Sequence, residues 1–347
     1  MTQTNPTDAP TVALLQGGAT SDALSDAVQR VIDAAGIAIT WLPVAAGVRA
    51  VAACGDPMPA STVQAIRDAG LCLKPLLRTP MGSGYTSPNV TLRKELGVFA
   101  GVRHIRSLPG IPSRYTDVDI VLVRELTEGT YSGIEHTIIP GVVETIKVTT
   151  RAKGEQVIRF AFNEARRRGR KAVTLVHKAN IMKMSDGMFR RIGKEIAVEF
   201  PDIAYRDIIA DNAAMQLVAR PEQFDVIVAA NLFGDILGDI GAGLIGSSLI
   251  VTGINASPDA FVFEATLHVG SSDDDAPHEA SPLALLMPAL DLLNHIGEVA
   301  AADRIRTAIS TVLREGTEVV PAHGGAASTS EMTTAIIAAM SEADGLS

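Results

Sequence analysis

Residues 231–246 read NLFGDILGDIGAGLIG, and two incompatible signals overlap in them. Gly241-Ala242-Gly243-Leu244-Ile245-Gly246 spells G-x-G-x-x-G, the phosphate-binding turn of dinucleotide folds. That turn must leave a strand directly and open a helix, whose first N–H groups hold the pyrophosphate. Here the strand-like run 224–228 ends about a dozen residues earlier, and the helix-like run 232–244 intervenes. The glycines are therefore read as close-packing positions, and a Rossmann architecture is set aside.

The second signal is the pair Asp235 and Asp239. Spaced four apart on a helix, they share one face, among Leu232, Phe233, Ile236, Leu237, Ile240 and Leu244. Two carboxylates on so apolar a helix repel each other and resist burial unless a cation lies between them. An exposed acidic stripe is the alternative. The lack of basic residues in this stretch favours a cation, and hard oxygen donors suit Mg²⁺ or Mn²⁺.

Outward from this segment, strand-like runs (11–15, 37–42, 120–123, 172–176, 224–228, 261–265) alternate with helix-like ones (23–35, 61–69, 155–168, 188–199, 232–244, 284–296, 300–314). Alternation of this kind predicts parallel strands joined by helical crossovers, an α/β class. A chain of 347 residues predicts two lobes, and 47% hydrophobic with 4% aromatic residues suits layered α/β packing. The clearest loops are 78–91 and 271–282. The basic run at 166–171 fits a helix end capped by Gly169, where cations meet the negative dipole terminus.

The formal charge of −9 argues against nucleic-acid or anionic-membrane partners. Cys54 and Cys72 make neither a disulfide framework nor a zinc spacing, and both are expected to be buried. The first ten residues carry no Lys or Arg and read as a disordered tail, not a targeting peptide. The uncharged stretch 240–258 is too broken by Gly, Ser, Thr and Asn to span a membrane. A soluble cytoplasmic protein is expected.

An acidic protein with an anionic ligand must gather its arginines locally. Arg93 follows Ser87-Pro88-Asn89-Val90-Thr91-Leu92, Arg103 lies ten residues on, and Arg124 closes the strand-like DIVLVR. Several guanidinium forks converging on one pocket imply a ligand with more than one carboxylate. Lys178, in VTLVHKANIM, lies just past a strand, where α/β folds place their sites. Tyr131, in RELTEGTYSG, is ambiguous alone, and His136, His177 and His268 have no metal-ligand spacing.

These stretches, with DNAAMQLV and FEATLH, occur in an order and spacing that resemble the isocitrate/isopropylmalate dehydrogenase family from about Thr11 to Met340. The resemblance implies a two-lobed α/β fold that is not Rossmann. A large cofactor-side lobe would comprise 1–98 plus 247–347, and a small lobe 99–246 would carry substrate, metal and dimer contacts. It implies a homodimer or higher oligomer, because the family completes each site from the neighbouring subunit. Asp235 and Asp239 then match metal ligands, with Asp211 the third, given by the other subunit. Arg93, Arg103 and Arg124 match binders of a tricarboxylate substrate, and Lys178 and Tyr131 match the proton-transfer pair. Ser87 and Asn89 match the Ser-x-Asn of isocitrate enzymes, which favours isocitrate over homoisocitrate or isopropylmalate. NAD is the implied cofactor, with Thr79, Glu264, His268, Asp273 and Ser281 at its site. Asp273 would accept the ribose 2′-hydroxyl and repel a 2′-phosphate.

Departures from the family pattern gather on that cofactor side. Its Pro-Gly-Asp-Gly-Ile-Gly-Pro-Glu loop is here Gln16-Gly17-Gly18-Ala19-Thr20-Ser21-Asp22-Ala23, and its Thr-Thr-Pro is Arg78-Thr79-Pro80. In the adenosine loop only His268, Asp273, Ala280 and Pro282 match, and Ser281 replaces an asparagine.

Overall fold

The computed structural model describes residues 9–77, 87–266 and 279–345. The N-terminal part runs β1 (Thr11–Gln16), α1 (Ala19–Ala34), β2 (Thr40–Ala45), α2 (Gly47–Cys54), α3 (Ala60–Ala69), β3 (Leu71–Lys74) and α4 (Pro88–Glu95). The middle follows as β4 (Ala100–Arg106), β5 (Asp119–Glu125), β6 (Gly129–Ile139), β7 (Val142–Val148), α5 (Arg151–Arg167), β8 (Ala172–His177) and α6 (Ser185–Ala197). It continues through β9 (Ala204–Ile209), α7 (Ala210–Ala219), β10 (Val226–Ala229) and α8 (Asn231–Leu244). The chain closes with β11 (Thr252–Ala256), β12 (Phe261–Ala265), α9 (Leu283–His295), α10 (Val299–Glu315) and α11 (Thr329–Gly345).

Ten strands form one sheet in the order β2-β1-β3-β12-β11-β4-β5-β10-β8-β9. Both flanks are parallel, as the alternation predicts. The centre is not: β11 runs antiparallel to both β12 and β4, and β4 antiparallel to β5. The short β3, β4, β9 and β11 lack a distinctive apolar period, so periodicity alone missed them. Segments 1–98 and 247–347 supply the five strands on one side of the β11–β4 seam, and 99–246 the five on the other. We propose the lobe boundary at this seam.

Three sequence expectations change. The loop at 78–91 stops by Ser87, because Pro88 opens α4 with the fixed φ that suits a first helical turn. Cys72 is buried in β3, but Cys54 is exposed at the end of α2, where left-handed Gly55 stops the helix. The region 37–42 forms a strand only from Thr40, at the sheet edge, where Pro43 is tolerated. The basic run behaves as expected: α5 ends at Arg167, Gly169 has φ +66°, and Arg166 pairs with Asp202.

The strands β6 and β7 stand apart as a two-stranded ribbon. Ile134, Ile138, Ile139, Val142, Val143 and Ile146 on it are all exposed. A lone hairpin with so apolar a surface is marginal in water. No described helix is long and apolar enough to cross a membrane.

Candidate active site

Strand register around the seam lines up the chemistry. Lys74 on β3 faces Glu264 on β12, Glu264 faces Gly253 on β11, and Gly253 faces Arg103 on β4. One strand further, Arg124 closes β5 beside Gly101. The helix α8 crosses this row closely because it carries glycine where the arginines pass. A Cβ on Gly234 would come 2.7 Å from Arg124 Cγ, and one on Gly238 would come 2.6 Å from Arg103 Nη1. Gly241 packs on Ile105 and Gly246 on the Pro112 carbonyl, which bears out the close-packing reading of the G-x-G-x-x-G segment at these two positions.

The acidic pair of α8 therefore does have basic partners, delivered from neighbouring strands instead of from its own sequence. Arg103 Nη1 donates to Asp239 at 2.8 Å and its Nη2 lies 3.6 Å from Asp235. Arg124 Nη1 donates to Asp235, while its Nε and Nη2 both reach Asn231 Oδ1, at 3.0 and 2.7 Å. Asn231 is 1% exposed and ties its amide back to the Glu128 carbonyl at 3.2 Å. Sequence reasoning missed this residue, although it opens the same helix as the aspartates. Tyr131 donates to Asp235 Oδ2 at 2.5 Å, and Arg124 lies 5.1 Å from the centre of its ring.

Burial works against ionisation of Asp235. The Tyr131 hydroxyl and the Arg124 and Arg103 charges outweigh it and hold the carboxyl below the usual range. The same bond raises the Tyr131 pKa. Burial pulls the Arg124 pKa down despite Asp235, and Arg103 and Arg93 add repulsion. Arg124 thus feels both other arginines, and each of the three is also paired with a carboxylate: Arg93 with Glu264, Arg103 with Asp239 and Arg124 with Asp235.

Lys178 and Asp211 lie elsewhere, paired with each other at 2.6 Å. The Lys178 bond holds the Asp211 carboxyl below its ordinary range. Buried Asp186 fixes the Lys178 backbone N–H at 2.7 Å and also binds Lys147. A cavity of about 340 Å³ is lined by Lys178, Asp211, Lys147, Thr130, Asn231 and Phe233, among others. It thus adjoins both clusters. Among the described residues no three His, Cys, Asp or Glu side chains gather for a metal. Asp235 and Asp239 fit a hard divalent cation as two carboxylates on one helical face, and the chain's own Asp211 does not join them.

On the ligand side, Ser87 precedes α4 and Asn89 lies in its first turn. The Asn89 amide donates to the Leu77 carbonyl at 3.3 Å, and its Oδ1 is buried with no partner among the described residues. Arg93, one turn on, is held by Glu264 at 2.8 Å and Asn255 at 3.1 Å. Of the expected cofactor residues, Thr79, His268 and Asp273 lie outside the described residues. Glu264 is buried, with one oxygen on Arg93 at 2.8 Å and the other on Lys74 at 3.1 Å. Ser281 is buried, bonds His323 Nε2 at 2.8 Å and accepts the N–H of Leu283, the first residue of α9, at 3.3 Å. At the start of α1, Arg49 bridges Gln16 and Asp22.

The family model for isocitrate/isopropylmalate dehydrogenase matches residues 11–336. NAD isocitrate dehydrogenase regulatory subunit 2, mitochondrial, of Arabidopsis thaliana is 41% identical over 94% of this chain and 89% of its own length. NAD isocitrate dehydrogenase subunit 1, mitochondrial, of Saccharomyces cerevisiae is 41% identical over 94% and 90%. A crystal structure of isocitrate dehydrogenase from Methylococcus capsulatus superposes with a TM-score of 0.85 at 43% identity, covering 95% of this chain and 99% of that one. The two-lobed family fold follows from this likeness. The cytoplasmic expectation does not stand: these plant and yeast relatives, which match nearly the whole chain, are described as mitochondrial.

Proposed function

The chain belongs to the isocitrate/isopropylmalate dehydrogenase family, and on that premise we propose that it oxidatively decarboxylates isocitrate to 2-oxoglutarate, using NAD with Mg²⁺ or Mn²⁺. The observation that carries this reading is the gathering of Arg103 and Arg124 around Asp235 and Asp239, with Arg93 electrostatically coupled to the same group. Three guanidinium groups suit three carboxylates, and the Ser87 hydroxyl and the second N–H of the Asn89 amide would be the small polar donors to the distal one.

Asp235 and Asp239 would hold the divalent ion, and Asp211 of a second subunit would complete its donors. Because Asp211 travels with Lys178, both come from that subunit in this reading. When bound, the ion supplies Lewis acidity to the substrate's hydroxyl and α-carboxylate. The arginines would fix the carboxylates and so hold the reacting C–H bond in one orientation. Lys178 would take the hydroxyl proton, and NAD, when bound, would supply the acceptor for the hydride of that carbon, so that the alcohol becomes a ketone β to the carboxylate to be lost. As CO₂ departs, Tyr131 returns a proton to the carbon that held it. The apolar ribbon of β6 and β7 supports assembly with a second copy or a related subunit, as a dimer or higher oligomer. NAD is preferred over NADP because Asp273, Asp274 and Asp275 would repel a 2′-phosphate, and no Lys or Arg occurs between Glu264 and Asp303.

A second reading is a subunit that binds isocitrate without turning it over. Relatives 41% and 43% identical are described as regulatory subunits, and the departures on the cofactor side point the same way. Purified protein assayed with NAD and NADP against isocitrate, homoisocitrate, isopropylmalate and tartrate separates the readings. Metal-dependent reduction of NAD by isocitrate is expected. Isocitrate binding without reduction of either cofactor, alone or with a catalytic subunit, would establish the regulatory one. Turnover of another substrate instead would relocate the specificity.

A further inference from the structure

Lys74 and Glu264 are among the most enclosed charges in the molecule, at 2% and 6% exposure, and the chemistry above uses neither. They face each other across β3 and β12, with Lys74 Nζ 3.1 Å from Glu264 Oε2. The other carboxylate oxygen, Oε1, accepts from Arg93 Nη2 at 2.8 Å. Asn255 on β11 accepts from Arg93 Nε at 3.1 Å. Gly253 makes room for this arrangement, because a Cβ there would come 2.9 Å from Glu264 Cγ. Lys74 and Arg93 together overcome burial and hold the Glu264 carboxyl far below the ordinary range. A buried ion pair is a poor source of stability compared with apolar residues of the same size. What it delivers here is a fixed guanidinium.

We propose that Lys74, Glu264 and Asn255 are positioning residues for Arg93, with Lys74 cancelling the charge of Glu264 so that Arg93 keeps its own charge for a ligand carboxylate. Two of the three Arg93 nitrogens are committed to Glu264 and Asn255. Nη1 makes no hydrogen bond among the described residues. With Lys74 included, the buried Lys74–Glu264 pair and the half-buried Arg93 together carry one net positive charge. Without Lys74, the carboxylate would neutralise the arginine it orients.

The ligand in this inference rests on the isocitrate reading, so the test has one arm that needs no ligand. Phenylglyoxal modification of Arg93, followed by peptide mass spectrometry, reports how firmly the guanidinium is held. The double variant Lys74→Met/Glu264→Gln keeps the net charge and replaces the charged anchor with a weaker neutral amide acceptor. Arg93 modification should rise several-fold, and the isocitrate Kd, by calorimetry with Mg²⁺, should rise about tenfold. Lys74→Met alone should leave Arg93 modification unchanged and still weaken isocitrate binding. Should the double variant fail to fold, Asn255→Ser removes the Nε acceptor together with the contact Asn255 makes to Glu264, and should raise modification by a smaller factor. Unchanged Arg93 modification in a folded double variant, or in Asn255→Ser where that variant is used, overturns the inference. Wild-type protein that does not bind isocitrate overturns the functional reading instead, and the modification arm still decides the positioning role.

Discussion

On the substrate side, charged groups are held by partners of opposite sign yet still converge: Arg103 and Arg124 on Asp235, Tyr131 beside them, and Arg93 aimed from α4. On the cofactor side, several described polar groups are taken up by the protein itself, although Thr20 Oγ1 and Asp22 Oδ1 are buried with no partner among the described residues. Ser281 serves His323 and the start of α9, Arg49 bridges Gln16 and Asp22, and Glu264 is closed between Lys74 and Arg93. Three clustered guanidinium groups gain by meeting an anion, whereas a serine already bonded on both sides gains little from a new partner. The difference teaches that matching a motif is not the same as offering its atoms.

The comparison breaks most directly at Asp239, which touches only Arg103 and is otherwise exposed. If the substrate side is catalytic, Asp239→Asn should cut metal-dependent NAD reduction by a hundredfold or more, on the order of a lost oxyanion or metal contact. A rate near wild type would remove the metal reading. Next comes the question of whether the two halves of that side meet through a second subunit. Val143→Asp with Ile138→Asp places charges on the exposed ribbon. Light scattering should show dissociation, with turnover falling about tenfold, as interface burial of this kind would require. Gly238→Ala sharpens the picture on a smaller scale. Its methyl would press on Arg103, so the isocitrate KM should rise several-fold with kcat less affected.

The smallest effect separates the two sides by acid. A carboxyl whose pKa is lowered on folding stabilises the protein above its unfolded pKa, and that stability is lost as pH falls toward the folded value. Glu264 is such a group. Melting curves recorded below about pH 4 should therefore fall less steeply for Lys74→Met/Glu264→Gln than for wild type. Equal slopes would mean that the pair contributes nothing to acid stability.

Much of this was legible in advance, for a reason that differs by element. The helices α5, α8 and α10 and the flanking strands carry strong periods, so their existence followed from spacing. The central β11 did not, because it is buried on both faces, and β4 did not, because Arg103, His104 and Arg106 break up its apolar residues. The aspartates of α8 stood out against an apolar helix, while their partners Arg103 and Arg124 lie more than a hundred residues away. Asn231 and Lys74 were invisible for the same reason: an asparagine or lysine acquires its meaning only from the strand register that places it. The splitting of Lys178 and Asp211 from the other site residues could not be read from spacing at all.

Each aspartate of α8 directly follows a glycine, Gly234 before Asp235 and Gly238 before Asp239. The glycine faces the sheet and lets an arginine slide beneath the helix, and the next residue then meets that arginine's charged end. The working unit is thus a doublet of bare backbone and carboxylate, repeated after one turn. Engineers who transplant only the acidic residues onto another scaffold would import the repulsion without the clearance. A designed helix that reproduces the doublet against two neighbouring strands, each bearing one arginine, would carry the helical half of the arrangement in nine residues' worth of sequence, Asn231 to Asp239.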